Sequence, residues 1–258
     1  MAPELMYRRN RCIKCGECAA SCLQEAIALE ANRISINRKR CSSCGECFHK
    51  CPTGALAVVG KEMTVEEVMK EVDKDAVFYD ESEGGVTFSG GEPLLQFDFL
   101  NALLDECNER GIHTAVDTCG YASLEIVEKI SDKVDLFLYD IKLMDDKDHK
   151  KYTGVSNKAI LRNFEKLARN GNDILVRFPI VPKVNDGKDN VAKTAEFVLS
   201  QGIKRICLFP YHRAGIEKYR SLGRVYKLRS IEPPPDQELT KIKKRLEALG
   251  LDVKIGGG

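Results

Sequence analysis

The chain has 258 residues, enough for one large domain or for a small module joined to a larger one. Its 40 basic and 39 acidic residues leave a formal net charge of +1, which argues against a general nucleic-acid or anionic-membrane surface. Charged residues make up 31% and hydrophobic ones 43%, the balance of a soluble globular chain, and no apolar run approaches the roughly 18 residues of a transmembrane helix.

Eight of the eleven cysteines fall between Cys12 and Cys51, as two runs of matching spacing. The first is Cys12-x2-Cys15-x2-Cys18-x3-Cys22; the second is Cys41-x2-Cys44-x2-Cys47-x3-Cys51, followed by Pro52. This is the ligand pattern of a two-cluster bacterial ferredoxin, in which the fourth cysteine of each run serves the other cluster. One 4Fe–4S cluster is then expected on Cys12, Cys15, Cys18 and Cys51, and a second on Cys41, Cys44, Cys47 and Cys22. Disulfides would need an oxidising compartment, and nothing in the sequence resembles a signal peptide. Structural zinc sites usually pair two separated Cys-x2-Cys units, which suits these runs less well. Leu23 stands where a proline often follows the fourth cysteine. So many thiolates fit a reducing cytoplasm, and exposed clusters fit an anaerobic or microaerobic host. Residues 10–60 therefore read as a duplicated ferredoxin-like domain with short strands at 26–30 and 55–59.

From Met63 onward, helical stretches alternate with short apolar strands. Thr64 and Glu67 form a capping box for a helix through Lys74. Val86–Phe88 reads as a strand ending at Ser89-Gly90-Gly91-Glu92-Pro93. A helix at 94–110 stops at Gly111, and a strand at 113–117 leads to a helix at 124–131. A strand at 134–141 is followed by a helix at 157–170, then a strand at 174–181 and a helix at 190–200. A strand at 205–210, a helix at 236–249 and Val253–Ile255 complete the chain. About five strands after the cysteine module are too few to close a full (β/α)8 barrel. The expected class is α/β: a partial (β/α) barrel of parallel strands over residues 61–258, with the small two-cluster ferredoxin-like domain as an insert.

In parallel α/β sheets, ligand groups gather at the carboxyl ends of strands. Here those ends carry Gly90-Gly91-Glu92-Pro93, Asp117-Thr118, Asp140-Ile141-Lys142, Arg177 and Tyr211-His212-Arg213. The glycines let a ligand approach the backbone, the carboxylates accept an ammonium group or a cation, Lys142 and Arg177 can hold a carboxylate, and His212 can contact a ring or hydroxyl. Taken singly, each has a plain alternative: a turn, a helix cap, a solvated lysine, a loop histidine or an internal ion pair. Their recurrence at successive strand ends carries the signal.

The cysteine insert, Val86–Leu94, Val116-Asp117-Thr118-Cys119-Gly120, Asp140-Ile141-Lys142, Lys151–Gly154, Pro210-Tyr211-His212 and Lys218-Tyr219 together resemble the activating enzymes of glycyl radical enzymes, in the radical S-adenosylmethionine superfamily. The resemblance covers nearly the whole chain. It implies that Gly90, Gly91 and Glu92 receive the ammonium of the methionine moiety. Asp117 and Asp140 would lie near the ribose and methionine carboxylate, where related activases bind a monovalent cation. Lys142 would join the same cluster, Arg177 would lie close to the cofactor, and His212 near the nucleoside. Cys107, Cys119 and Cys207 lack ligand spacing and read as packing residues. Implied partners are a glycyl radical enzyme as protein substrate and a flavodoxin or ferredoxin-type electron donor. Tyr211 to Tyr226 is either a partner-facing surface or a polar loop.

The family's radical chemistry also uses a third 4Fe–4S cluster on Cys-x3-Cys-x2-Cys, with one iron left open for S-adenosylmethionine. That motif is absent from this sequence: the third position after Cys18-x3-Cys22 or Cys47-x3-Cys51 falls on Glu25 or Gly54. Residues 1–9 resemble the connector that follows the cysteine loop in the family. The chain is therefore expected to hold two clusters without cleaving S-adenosylmethionine. The alternatives are an iron–sulfur electron-transfer or partner-binding remnant, or one half of a split activase.

Overall fold

Thiol-dense and apolar-alternating sequence build two different architectures in this chain. The computed structural model describes residues 3–30 and 33–256. Met1 and Ala2, the start of the expected connector, and the last two residues of the glycine tail lie outside them. The chain divides into two compact units, Met1–Met63 with Arg213–Ser230, and Thr64–His212 with Ile231–Gly258.

The first unit opens with β1 (Glu4–Tyr7), α1 (Glu17–Ala20), β2 (Ile27–Glu30), β3 (Arg33–Ile36), α2 (Glu46–His49) and β4 (Leu56–Val59). β1 pairs antiparallel with β4, and β2 with β3. The sequence duplication is a backbone duplication: Lys14 and Ser43 take φ of 63° and 56°, and Gly16 and Gly45 take 88° and 90° at equivalent points of the two cysteine runs. β1 forms on residues expected as connector because Leu5 is 1% exposed and packs with Ile27, Ile34, Leu56, Cys18 and Cys47. So small an apolar core contributes little alone, so the unit depends on what its thiols bind.

The second unit starts with α3 (Val65–Val72), where Thr64 accepts from the Glu67 N–H at 3.2 Å and Glu67 accepts from the Thr64 N–H at 2.9 Å, the expected capping box. It continues with α4 (Ala76–Ser82), β5 (Gly85–Phe88), α5 (Phe97–Glu109), β6 (His113–Thr118), α6 (Leu124–Ser131), β7 (Leu136–Asp140), α7 (Asp146–Thr153), α8 (Lys158–Arg169), β8 (Ile174–Ile180), α9 (Lys188–Ser200) and β9 (Arg205–Pro210). α10 (Ala214–Ser221) belongs to the first unit, whereas α11 (Asp236–Ala248) and β10 (Asp252–Ile255) return to the second. β5 to β10 form a parallel six-stranded sheet in sequential order, with β5 and β10 outermost and unpaired with each other. This is the expected partial barrel. Helices α4 and α7 were not legible in the sequence. α7 (DKDHKKYT) has no apolar stripe and is held instead by Asp145, which accepts from the Asp148 N–H at 2.8 Å.

The sheet buries Val116, Phe137, Tyr139, Val176, Phe178 and Leu208 at 1% exposure or less. Tyr139 also carries a polar load: its hydroxyl donates to the Ile160 carbonyl at 2.7 Å. Gly120, in the left-handed region at φ +68°, lies against this ring, and a Cβ there would come within 1.7 Å of Tyr139 Oη. Only glycine lets the backbone pass. Gly120→Ala is expected to destabilise the fold by about 2–4 kcal/mol, from overpacking plus backbone strain. Urea unfolding at unchanged m checks this, and a loss below about 0.5 kcal/mol, the range of neutral surface changes, contradicts it.

Candidate functional site

At the carboxyl end of β5 the chain turns through Gly90, whose φ is +131° and around which no atom would meet a Cβ within 4 Å. Two residues on, the Glu92 carboxylate turns inward. One oxygen accepts from the Thr118 hydroxyl at 2.6 Å and the Leu94 N–H at 3.2 Å; the other accepts from the Cys119 N–H and Sγ, both at 2.9 Å. Glu92 therefore ties the loop after β5 to the end of β6, leaving the Gly90–Gly91 backbone as the open part of the motif. Thr118 Oγ1 also accepts from the Gly120 N–H at 2.8 Å, and Asn163 Nδ2 donates to the Gly120 carbonyl at 2.8 Å.

Asp117 (β6), Asp140 (β7) and Arg177 (β8) stand on adjacent strands, with Asp140 and Arg177 directly opposite in register. Arg177 Nη1 pairs with Asp117, its Nε lies 3.7 Å from Asp140, and Lys142 Nζ lies 3.0 Å from the same carboxylate. The Arg177 guanidinium also stacks 4.5 Å from the centre of the Phe209 ring. The side chains of Asp117, Asp140 and Arg177 are 26%, 23% and 24% exposed, so these charges are only partly screened by water. Arg177 Nε is nevertheless buried with no hydrogen-bond partner. A buried charged donor left unsatisfied is costly, and an acceptor arriving at this end of the sheet would relieve it. His212 is exposed, just beyond β9.

The structure thus gathers Glu92, Asp117, Asp140 and Lys142 at the ends of β5, β6 and β7, with Arg177 reaching them from the middle of β8. Sequence reasoning missed their supports. Asn185 Nδ2 donates to the Lys142 carbonyl at 3.0 Å while its Oδ1 accepts from the Val181 N–H at 2.7 Å. Asn163 and Asn185 are 0% and 2% exposed, yet both stand among charged residues in the sequence, which gave no local signal of their burial. Cys119 does more than pack: it is a donor to Glu92.

In the first unit, Cys12, Cys15, Cys18 and Cys51 ring one small cavity, with Tyr7 and Ile34 in its wall. Cys22, Cys41, Cys44 and Cys47 ring another, with Leu5 and Ile27. All eight thiols are free. Among the described residues no three such side chains converge tightly enough for a single metal ion, whereas a cubane spreads its thiolates over four irons. Four soft sulfur donors around each apolar cavity are a donor set that fits a 4Fe–4S cluster. The Ala26 N–H donates to Cys22 Sγ at 3.3 Å, the kind of bond that tunes a cluster. Burial pushes the Cys18 thiol up and the Cys47 thiol to about 11. At Cys51 burial is outweighed by hydrogen bonds from the Leu56 N–H and the Thr53 hydroxyl, which lower it. Tyr7 is pushed up to about 12, first by burial and then by its hydrogen bond with Cys12.

One unit thus carries two cavities ringed by thiols, and the other a group of paired charges on neighbouring strands. Comparison with known proteins takes this further. Residues 39–198 match the family model of the radical SAM superfamily, and residues 11–55 that of the 4Fe-4S dicluster domain. The chain is 43% identical over 257 residues to the trans-4-hydroxy-L-proline dehydratase activating enzyme of Clostridioides difficile, covering 98% of this chain and 85% of that one. It is 35% identical to the choline trimethylamine-lyase activating enzyme of Oleidesulfovibrio alaskensis, covering 98% and 84%. Among solved structures, a domain of the pyruvate-formate lyase-activating enzyme from Bacteroides vulgatus superposes with a TM-score of 0.58 at 34% identity, covering 67% of this chain and 99% of that one. The chain belongs to the activating enzymes of glycyl radical enzymes, within the radical SAM superfamily. No helix among the described residues is long and apolar enough to cross a membrane.

Burial first, and then the hydrogen bond to Glu92, raise the Cys119 thiol from about 9 to about 11. Because the folded pKa is the higher one, stability contributed by this protonated thiol is whole below pH 9 and is lost as pH rises through 11. Peptide-resolved alkylation of the folded protein is expected to leave Cys119 unmodified until the pH nears 11. Glu92→Gln should bring modification to lower pH, because it removes the anionic acceptor. Rapid labelling of wild-type Cys119 near pH 9 contradicts the pairing.

Proposed function

We propose that this activating enzyme binds S-adenosylmethionine across the carboxyl ends of β5 to β8. On the same reading, its two cysteine sets, Cys12/Cys15/Cys18/Cys51 and Cys41/Cys44/Cys47/Cys22, each hold a 4Fe–4S cluster that relays electrons for the reaction. The observation that carries the first part is the buried Arg177 Nε, which has no hydrogen-bond partner, within a site of two carboxylates and two cations. A methionyl ammonium and carboxylate need both signs of charge close together, on groups already oriented. The backbone of Gly90 and Gly91 takes the ammonium, while Glu92 holds that loop in place. Arg177 and Lys142 hold the carboxylate, Asp117 and Asp140 lie near the ribose and a monovalent cation, and His212 meets the nucleoside.

With a site cluster, S-adenosylmethionine supplies a 5′-deoxyadenosyl radical that takes a hydrogen from a glycine Cα of a partner glycyl radical enzyme. This chain's residues orient the cofactor and limit water access. A flavodoxin or ferredoxin-type protein supplies the electron.

One observation favours a second reading. The sequence holds no Cys-x3-Cys-x2-Cys, so the 258-residue chain alone is a two-cluster protein that binds the cofactor without cleaving it. Anaerobic reconstitution of this chain is expected to yield about eight irons and no reductant-dependent 5′-deoxyadenosine. Equilibrium dialysis should show S-adenosylmethionine binding weakened roughly tenfold by Arg177→Met, the loss of one charge-assisted contact. About twelve irons with adenosyl cleavage overturn the two-cluster reading. Unchanged binding in Arg177→Met overturns the assigned site.

A further inference from the structure

The first unit contains one concave region whose chemistry belongs to neither cluster. Arg9, Arg33, Arg38 and Arg220 line an open hollow of about 240 Å³ together with Tyr7 and Ile34, and no acidic side chain is among its lining residues. In a chain of net charge +1, four guanidinium groups around one hollow are a local concentration of positive charge. Arg38 is held in place: its Nη1 donates to the Leu5 carbonyl and its Nη2 to the Ser221 carbonyl at 3.3 Å. Glu217 takes one edge of Arg220 at 3.1 Å, and Glu30 stands across the hairpin from Arg33. Arg9 and Arg33 are exposed and make no ion pair among the described residues.

The position of the hollow matters as much as its charge. Tyr7 and Ile34 line both it and the cavity ringed by Cys12, Cys15, Cys18 and Cys51, so a shared layer of side chains separates the arginines from that cysteine set. Leu5, whose carbonyl receives Arg38, lines the second cysteine cavity. The segment Tyr211 to Tyr226, which the sequence leaves open as a partner-facing surface or a polar loop, contributes Arg220, Ser221 and Gly223 to this hollow. An electron carrier must approach a cluster closely, dock briefly and leave, which favours a small interface guided by opposite charge.

We propose that the Arg9–Arg33–Arg38–Arg220 hollow is the docking site for a carboxylate-rich face of the electron-donor protein, delivering electrons to the cluster held by Cys12, Cys15, Cys18 and Cys51. This rests on the two-cluster reading above. One electron leaves the donor's reduced flavin or cluster and enters the acceptor cluster, with no bond made or broken. Rigid guanidinium forks hold carboxylates at defined geometry, and salt screens the approach.

The test uses the anaerobically reconstituted chain and an acidic flavodoxin as probe. Its affinity is measured at low and high ionic strength for wild type, Arg9→Gln/Arg33→Gln, and Lys61→Gln as a first-unit charge control outside the hollow. Dithionite-reduced EPR spectra are recorded for each. The double variant is expected to bind flavodoxin at least tenfold more weakly at low salt and to accept electrons from its hydroquinone correspondingly more slowly. Lys61→Gln should match wild type, and all three should give the same dithionite-reduced cluster signals. Equal weakening in both variants, or none in either, overturns the docking site while intact cluster signals leave the two-cluster reading standing. Absent cluster signals in wild type overturn both. Saturable binding of inorganic phosphate in the hollow without any effect on flavodoxin affinity would assign it to a small anion instead.

Discussion

The contact on which the second unit's chemistry depends is the guanidinium of Arg177 set between the carboxylates of Asp117 and Asp140. The three residues come from three neighbouring strands, so parallel pairing alone brings their charges together. Removing Arg177 would leave Asp117 partly buried without its cation, while Asp140 keeps Lys142, and such a loss is destabilising even where the pair itself contributes little. The loops around this centre fall into place through a second set of bonds. Glu92 joins the ends of β5 and β6, and Asn163 and Asn185 satisfy the backbone carbonyls of Gly120 and Lys142.

The first unit follows a different rule. Leu5, Ile27, Ile34 and Leu56 are its buried aliphatic core, and two of their companions are the cysteines Cys18 and Cys47. A core of this size offsets little of the conformational entropy of ordering the unit. On the proposed ligand assignment, ligation of the eight thiols would act as the structural staple and the redox function at once, coupling folding to cofactor loading.

Much of this was legible in the sequence where spacing alone determines the geometry. The paired cysteine runs specify two rings of four thiols, and in the structure those rings surround two cavities of nearly equal size. Asp117 and Asp140 were visible because apolar β-rich runs stop at charged residues, whereas Arg177 lies within β8, which runs on through Ile180. What escaped depends on contacts between residues far apart in the chain. α7 carries no apolar period because its face is held by polar caps, and Glu92 points at Cys119 rather than outward because Thr118 and the Cys119 N–H offer it three donors with Cys119 Sγ. The arginine hollow joins Arg9, β3 and α10, segments that no local pattern links.

The most direct test of the account is an anaerobic crystal structure of the cluster-loaded chain soaked with S-adenosylmethionine. The account predicts methionyl density between the Gly90–Gly91 backbone and the Asp117–Asp140–Arg177 group, with Arg177 Nε gaining an acceptor. Density for the cofactor elsewhere, or an Arg177 whose Nε stays without a ligand contact while the cofactor is bound, would contradict it.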